Sequence, residues 1–231
     1  MIYLDNAANT PVLPEVLAAM LPWFRFDHVG NPGSIHAQGT KARRAVEKAR
    51  RQVAGMINAD PSEVFFTSGG TESNNTWLKC FGGDLVLTTG VEHDSVLEPL
   101  RNTDHLAVQL VKVCPDGSVD LDALEYNLAH TRNTGRAVSI MWVNNELGTV
   151  NPIKEIGELC QKYHTFFHTD AVQAAGHVSI DVKECHIDAL SMSGHKFGAP
   201  LGVGVLYINS AVYKQPLIIG GGQENGSNRQ T

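Results

Sequence analysis

Lys196, Asp170 and a glycine turn after Thr67 are the residues of this chain best placed for covalent chemistry on an anionic ligand. Lys196 ends Ser191-Met192-Ser193-Gly194-His195-Lys196, ahead of the turn Phe197-Gly198-Ala199-Pro200. A lysine closing a core strand needs a partner or a task. It could serve in an ion pair or as the amine of a Schiff base, and a solvated surface charge is the plain alternative. Asp170 lies in His168-Thr169-Asp170-Ala171-Val172-Gln173, just past the apolar pair Phe166-Phe167. Such an acid could keep a pyridine nitrogen protonated, or simply cap the next helix. In Thr67-Ser68-Gly69-Gly70-Thr71-Glu72-Ser73 a strand ends, two glycines allow close backbone approach, and a helix begins. Amide N–H groups at a helix N-terminus can cradle a phosphate, although the same residues also read as a capped helix after a glycine turn. The stretch has neither the Gly-Lys-Ser/Thr of a P-loop nor a GxGxxG pattern.

Two weaker clusters accompany these. Val91-Glu92-His93-Asp94-Ser95 forms a turn in which an imidazole could stack on a planar ligand and exchange protons, though His93 is one histidine among 10. Val143-Asn144-Asn145-Glu146-Leu147-Gly148 closes a strand, and its amides could bind a phenolate or carboxylate. In isolation it is only a turn.

The elements that must position these residues alternate along the chain. Apolar residues Val16, Leu17, Met20, Leu21 and Phe24 recur at three- and four-residue intervals and predict a helix over 14–24. A second helix is predicted over 39–57, with Val46, Val53 and Ile57 inward, and further helices over 73–81, 121–129 and 153–163, the last carrying Ile156, Leu159 and Cys160 on one face. Strand-like runs are Val64 to Thr67, Leu85 to Thr88, Val108 to Val113, Ala137 to Val143, Phe166 to His168, Ala189 to Met192 and Val203 to Ile208. Strands alternating with helices predict an α/β fold on a mainly parallel sheet covered on both faces. The phosphate cradle, Lys196 and Asp170 then fall at carboxyl ends of strands, where open α/β sheets bind ligands.

Composition narrows the function classes. With 42% hydrophobic and 18% charged residues, 231 residues can bury a sizeable core, and nothing in the balance suggests disorder. A net charge of -6 gives no global electrostatic case for nucleic acid or an anionic membrane. No apolar run approaches a membrane span, and Met1 leads into Ile2-Tyr3-Leu4-Asp5 without signal-peptide character, so a cytoplasmic protein is expected. Cys80, Cys114, Cys160 and Cys185 lie far apart with no CxxC pair; neither a metal centre nor a disulfide scaffold is expected.

Taken together, Leu4-Asp5-Asn6-Ala7-Ala8-Asn9-Thr10-Pro11, Asn31-Pro32-Gly33-Ser34-Ile35-His36, Thr67 through Asn75, Glu92-His93, Asn144-Asn145-Glu146, Asp170-Ala171-Val172-Gln173 and Ser193-Gly194-His195-Lys196 resemble the NifS/IscS-type cysteine desulfurases and the related selenocysteine lyases. The resemblance runs from Tyr3 to Glu224 and keeps the order of the motifs. It implies the large domain of a fold-type I, pyridoxal 5′-phosphate-dependent transferase over 1–231, with the family's smaller C-terminal domain outside this chain. By the same resemblance Lys196 would hold the cofactor as a Schiff base and Asp170 would pair with its pyridine nitrogen. Gln173 would donate to the ring hydroxyl with Asn145 nearby, and His93 would stack on the ring and assist proton transfer. Gly70, Thr71, Ser193 and His195 would hold the phosphate, and Thr231 would reach the phosphate of a partner subunit, implying a homodimer.

The activity implied is removal of sulfur from L-cysteine to give alanine and a protein persulfide, passed to a sulfur-acceptor or iron–sulfur scaffold protein. A selenocysteine lyase or other β-elimination lyase is the alternative within the fold, and a catalytically incomplete cofactor-binding fragment or scaffold is the alternative outside it. In the family the accepting thiolate and a carboxylate-binding arginine come from the C-terminal domain. Cys80, Cys114, Cys160 and Cys185 read instead as packing positions. The segment 225–231 departs from the family's pattern, with Asn225, Asn228, Arg229 and Gln230 where arginines and a Ser-Gly pair are usual.

Overall fold

Strand alternation and helix amphipathicity combine here into one sheet with helices on both faces. The structure is a computed structural model that describes residues 2–104, 106–131, 135–212 and 217, leaving the side chain of Cys80 aside. The strands are β1 (Val64–Thr67), β2 (Leu85–Thr89), β3 (Ala107–Val111), β4 (Arg136–Ser139), β5 (Phe166–Asp170), β6 (Ala189–Ser193) and β7 (Gly204–Ile208). They form one seven-stranded sheet in the order β1-β7-β6-β5-β4-β2-β3. Neighbours run parallel except β7, which is antiparallel to both β1 and β6. The β6–β7 connection turns through Gly198 and Gly202 at φ of +95° and +93°, the left-handed region that glycine enters without penalty. All other sheet neighbours are parallel, so the carboxyl ends of β1, β2, β4, β5 and β6 share one edge.

The helices are α1 (Pro14–Met20), α2 (Ala37–Met56), α3 (Gly70–Cys80), α4 (Asp94–Arg101), α5 (Leu121–His130) and α6 (Ile153–Lys162). Two cores follow from the period of two along each strand. Leu85, Leu87, Val138, Phe167 and Leu190 pack against Ile57, Leu124, Leu128, Ile156 and Cys160, residues at the end of α2 and on α5 and α6. Val86, Ala137, Ala189 and Leu206 face the other way, against Trp77, Leu78, Val96 and Leu100 of α3 and α4. Each large side chain so buried contributes about 1.5–3 kcal/mol before entropy is counted. His168 of β5 sits in this second layer, stacked on Trp77 at 5.4 Å between centroids, and bonded through Nδ1 to Ser139 Oγ at 2.8 Å and through Nε2 to Ser191 Oγ at 3.2 Å. Burial pushes its pKa down to about 3, so the ring is a neutral cross-strand spacer. Asp170, two residues on, therefore shares the α3-facing side of β5.

The expected elements appear with instructive differences. The helix predicted over 14–24 stops at Met20 and tightens into a 3₁₀ turn at Leu21–Phe24, because Pro22 cannot continue an α-helix. Its apolar stripe is exposed rather than inward, with Leu17 48% and Phe24 78% accessible. The strand predicted over 137–143 ends at Ser139, because the Met141 N–H donates to Glu92 Oε2 at 2.9 Å instead of to a ladder carbonyl. Helix α4 was not expected at all. Its N-cap is His93, whose Nδ1 accepts from the Ser95 N–H at 3.0 Å, and Pro99 lies inside it.

Candidate functional site

The carboxyl edge of the sheet carries a cavity of about 210 Å³ that gathers residues from five strand ends. Gly70 and Thr71 follow β1, His93 follows β2, Asn145 follows β4, Asp170 ends β5 with Gln173 next to it, and Ser193, His195 and Lys196 close β6; all nine line the cavity. Thr231 and the segment 225–231 lie outside the described residues.

The side of the cavity formed by the glycine turn is built by close approach. Gly69 caps α3 in an extended conformation, so the first turn of the helix opens toward the cavity. A Cβ on Gly70 would fall 2.6 Å from Val172 Cγ2, and one on Gly204 would fall 2.5 Å from Gly69 Cα. Ser193 Oγ lies 2.9 Å from His195 Nδ1 on the same cavity wall. Glu72 ties the turn down by accepting from Ser68 N at 2.7 Å and Ser68 Oγ at 2.6 Å. The set offers helix N–H groups, hydroxyls and an imidazole at one point, a fit to a phosphate dianion.

The opposite side holds the acid and the amine. Asp170 is buried; its Oδ1 accepts from Val172 N at 2.9 Å and its Oδ2 from Asn74 Nδ2 at 2.7 Å. Burial raises its pKa, and those bonds with the charges of His93 and Lys196 pull it back. A cationic ring nitrogen would complete this carboxylate. Lys196 is half-buried, which lowers its ammonium pKa against the opposing pull of Asp170 and Asp5 and raises the share of free amine. Its Nζ donates to Ala7 O at 2.5 Å and Ala8 O at 2.9 Å, and Gln173 Nε2 donates to the same Ala7 O at 2.8 Å. The segment carrying those alanines is itself stapled to the lysine turn. Thr10 N and Oγ1 both donate to His195 O, at 2.8 and 2.9 Å, and Leu13 N donates to Gly198 O at 2.9 Å.

Asn144, adjacent to Asn145, has a structural role: its Oδ1 accepts from Glu146 N and Leu147 N at 2.9 and 2.8 Å, fixing the turn that presents Asn145. Sequence reasoning missed Ser95, Met141 and Val172 in the lining, and Asn74 and Glu92 behind it. Asn74 had a readable signal, since it stands with Trp77, Leu78 and Phe81 at the i, i+3, i+4, i+7 positions of an otherwise apolar stripe. No described cysteine side chain lines the cavity. Cys160 is buried with its thiol pKa pushed up by burial, Cys185 packs half-buried on the core, and Cys114 is half-buried in the turn after β3.

Glu92 is buried, and desolvation pushes its pKa up to about 8, against hydrogen bonds from Thr89 Oγ1 at 2.7 Å and from Met141 N. The folded carboxyl keeps its proton to about 8, whereas an unfolded glutamate releases it near 4.5; between those values the folded state holds the extra proton, and stability falls as pH rises. Glu92→Gln removes this titration. Relative to wild type, the variant is expected to gain roughly 3–4 kcal/mol between about pH 5 and pH 8, read by denaturant unfolding at each pH. A difference that does not change with pH would refute this assignment.

Comparison with known proteins places the chain and its fold. The chain is 45% identical over 238 residues to a cysteine desulfurase IscS of Clostridium botulinum, covering 100% of itself and 59% of that protein. It is 46% identical to a mitochondrial cysteine desulfurase of Drosophila melanogaster, with 97% of the chain and 50% of the relative covered. It thus spans about three fifths or less of the length of these curated relatives. Among solved structures, a NifS-like protein superposes with a TM-score of 0.93 at 38% identity, covering 100% of this chain and 65% of that one. The protein SspA in complex with cysteine superposes with a TM-score of 0.90 at 36% identity, covering 100% and 68%. These likenesses carry the fold-type I architecture, and the proteins of this group are pyridoxal 5′-phosphate enzymes. With the family profile matched over residues 2–230, the lysine, acid and anion cradle at one sheet edge are those of a chain that belongs to the aminotransferase class-V family.

Proposed function

We propose that this chain is the cofactor-binding large domain of a cysteine desulfurase, with the smaller domain of the family lying outside it. The observation that carries the reading is one cavity in which a half-buried amine, Lys196, faces a buried carboxylate, Asp170, beside the Gly70–Thr71 and Ser193–His195 anion cradle. Relatives named cysteine desulfurase and a structural neighbour solved with cysteine support L-cysteine as the substrate.

When bound, pyridoxal 5′-phosphate supplies an electron sink conjugated with the substrate α-carbon. The chain's own residues do the rest. The N–H groups of Gly70 and Thr71, with Ser193 and His195, would bind the phosphate. Asp170 would hold the proton on the ring nitrogen, Gln173 would donate to the ring hydroxyl with Asn145 beside it, and His93 would cover the ring face. Lys196 Nζ would be the amine that holds the cofactor covalently, and it is the base that would move the proton at the substrate α-carbon. Over the whole reaction the C–S bond of cysteine breaks and an S–S bond forms to a protein thiolate. The substrate β-carbon gains a proton, and the products are alanine and a persulfide. The accepting thiolate belongs in this reading to sequence or to a protein beyond the described residues. A homodimer completed by Thr231, an iron–sulfur scaffold as downstream acceptor, and a cytoplasmic setting complete the proposal.

The test is substrate-resolved. The chain saturated with pyridoxal phosphate, together with its smaller domain, is expected to form alanine and sulfide from L-cysteine in the presence of a thiol. Alanine formed from selenocysteine but not from L-cysteine would instead assign a selenocysteine lyase, and alanine from neither would leave a cofactor-binding scaffold.

A further inference from the structure

Asp170 and His93 stand on different elements, the end of β5 and the N-cap of α4, yet two buried side chains join them. Asn74 Nδ2 of α3 donates to Asp170 Oδ2 at 2.7 Å and to Ser95 Oγ at 2.8 Å. Ser95 Oγ lies 2.8 Å from His93 Nδ1, and the Ser95 backbone N–H donates to that same nitrogen at 3.0 Å. Asn74 Oδ1 is buried with no hydrogen-bond partner among the described residues. An orphaned amide oxygen costs about 1–3 kcal/mol, so something stronger than local satisfaction sets the orientation of this amide.

That something is the carboxylate. An ionised carboxylate only accepts, so it draws Nδ2 of Asn74 toward itself. The second Nδ2 hydrogen goes to Ser95 Oγ, and Ser95, having accepted, has its own hydroxyl hydrogen left for His93 Nδ1. A backbone N–H can only donate. Nδ1 therefore receives two donors and keeps its lone pair, and the hydrogen of the neutral ring resides on Nε2. Building on the pyridoxal phosphate reading of the site, we propose that Asn74 and Ser95 are positioning residues that carry the charge of Asp170 to His93 and fix its imidazole as an Nε2–H donor. In this arrangement His93 enters turnover as a proton donor through Nε2, and Lys196 is left as the base.

Two-bond ¹H–¹⁵N spectra of the cofactor-free chain at alkaline pH, with His93→Gln for assignment, report the tautomer directly. Wild type is expected to show the Nε2–H pattern. Ser95→Ala should lower the tautomer ratio about fivefold, the factor one net hydrogen bond carries, and Ser95→Thr should restore it. Asp170→Asn should lower the ratio similarly with Ser95 intact, because a neutral amide at 170 lets Asn74 turn over. An Nδ1–H pattern in wild type, an unchanged ratio in either variant, or no recovery in Ser95→Thr overturns the proposal. The measurement needs no cofactor, so its failure is separable from failure of the pyridoxal phosphate reading, which the visible absorbance of the loaded chain tests on its own.

Discussion

Lys196→Ala is expected to leave a chain that folds and still binds pyridoxal phosphate weakly but never attaches it. Borohydride treatment followed by mass measurement should show a cofactor adduct on wild type and none on the variant. Turnover in the completed enzyme should fall by at least about 10³-fold, the scale on which a covalent and proton-moving group acts. Stability should change by less than about 1 kcal/mol, because the side chain gives up only hydrogen bonds to the carbonyls of Ala7 and Ala8 at the edge of the cavity. Lys196→Arg sharpens the test. It keeps a cation near Asp170 while removing the amine whose pKa is lowered by burial, so a purely electrostatic lysine would be rescued by it and a Schiff-base lysine would not. An adduct on Lys196→Ala would place the covalent chemistry elsewhere.

Gly204→Ala should damage the site without touching any group that does chemistry. Gly204 pairs with Thr67 where β7 meets β1, and a methyl there would lie 2.5 Å from Gly69 Cα, 2.6 Å from Gly69 C and 2.7 Å from Thr67 Oγ1. Two of those three atoms are backbone, which cannot swing aside as a side chain does. The expected cost is about 3 kcal/mol of unfolding free energy. The displaced Gly69–Gly70 turn should also loosen the phosphate cradle, with cofactor affinity lower by about tenfold or more. Gly55→Ala is the control: nothing lies within 4 Å of its Cβ direction, and it sits inside α2, so it should be neutral or stabilising by up to about 1 kcal/mol. A Gly204→Ala protein with wild-type midpoint and cofactor affinity would show that β1 and β7 can part at no cost.

The site was legible where a residue's type alone is unusual for its place. Lysine and aspartate at the ends of apolar strands, and paired glycines before a helix, are informative without knowledge of their neighbours, and Lys196, Asp170 and Gly70 do meet in one cavity. Ser95 was not legible in that way, and Asn74 only as a polar residue in an apolar stripe of α3, because their link arises only when α3 and α4 pack side by side. Helix α4 was hidden by Pro99 and by the use of a histidine as its cap, a residue outside the usual capping set. The early end of β4 was hidden for a different reason: a carboxyl from the turn after β2 replaces a ladder carbonyl, an exchange that periodicity does not encode. The exposed stripe of α1 reverses the usual inference from amphipathicity, since a helical face reports that something covers it and not what.

The staple between Thr10 and His195 has a consequence in time. The two residues are 185 positions apart, so during synthesis at about 5–20 residues per second the strap waits roughly 10–40 s before its anchor exists. Throughout that interval the leading segment, with Leu13, Leu17, Phe24 and Phe26 still exposed even in the folded chain, lacks its hydrogen bonds to His195 and Gly198. Strands β1 to β5 are made meanwhile, but the Ala7 and Ala8 carbonyls that position the Lys196 amine meet their target only once β6 has been made. Placement of the Lys196 amine thereby waits until β6 has been made, and a chain released before that point carries the acid and part of the cradle with no amine to use them.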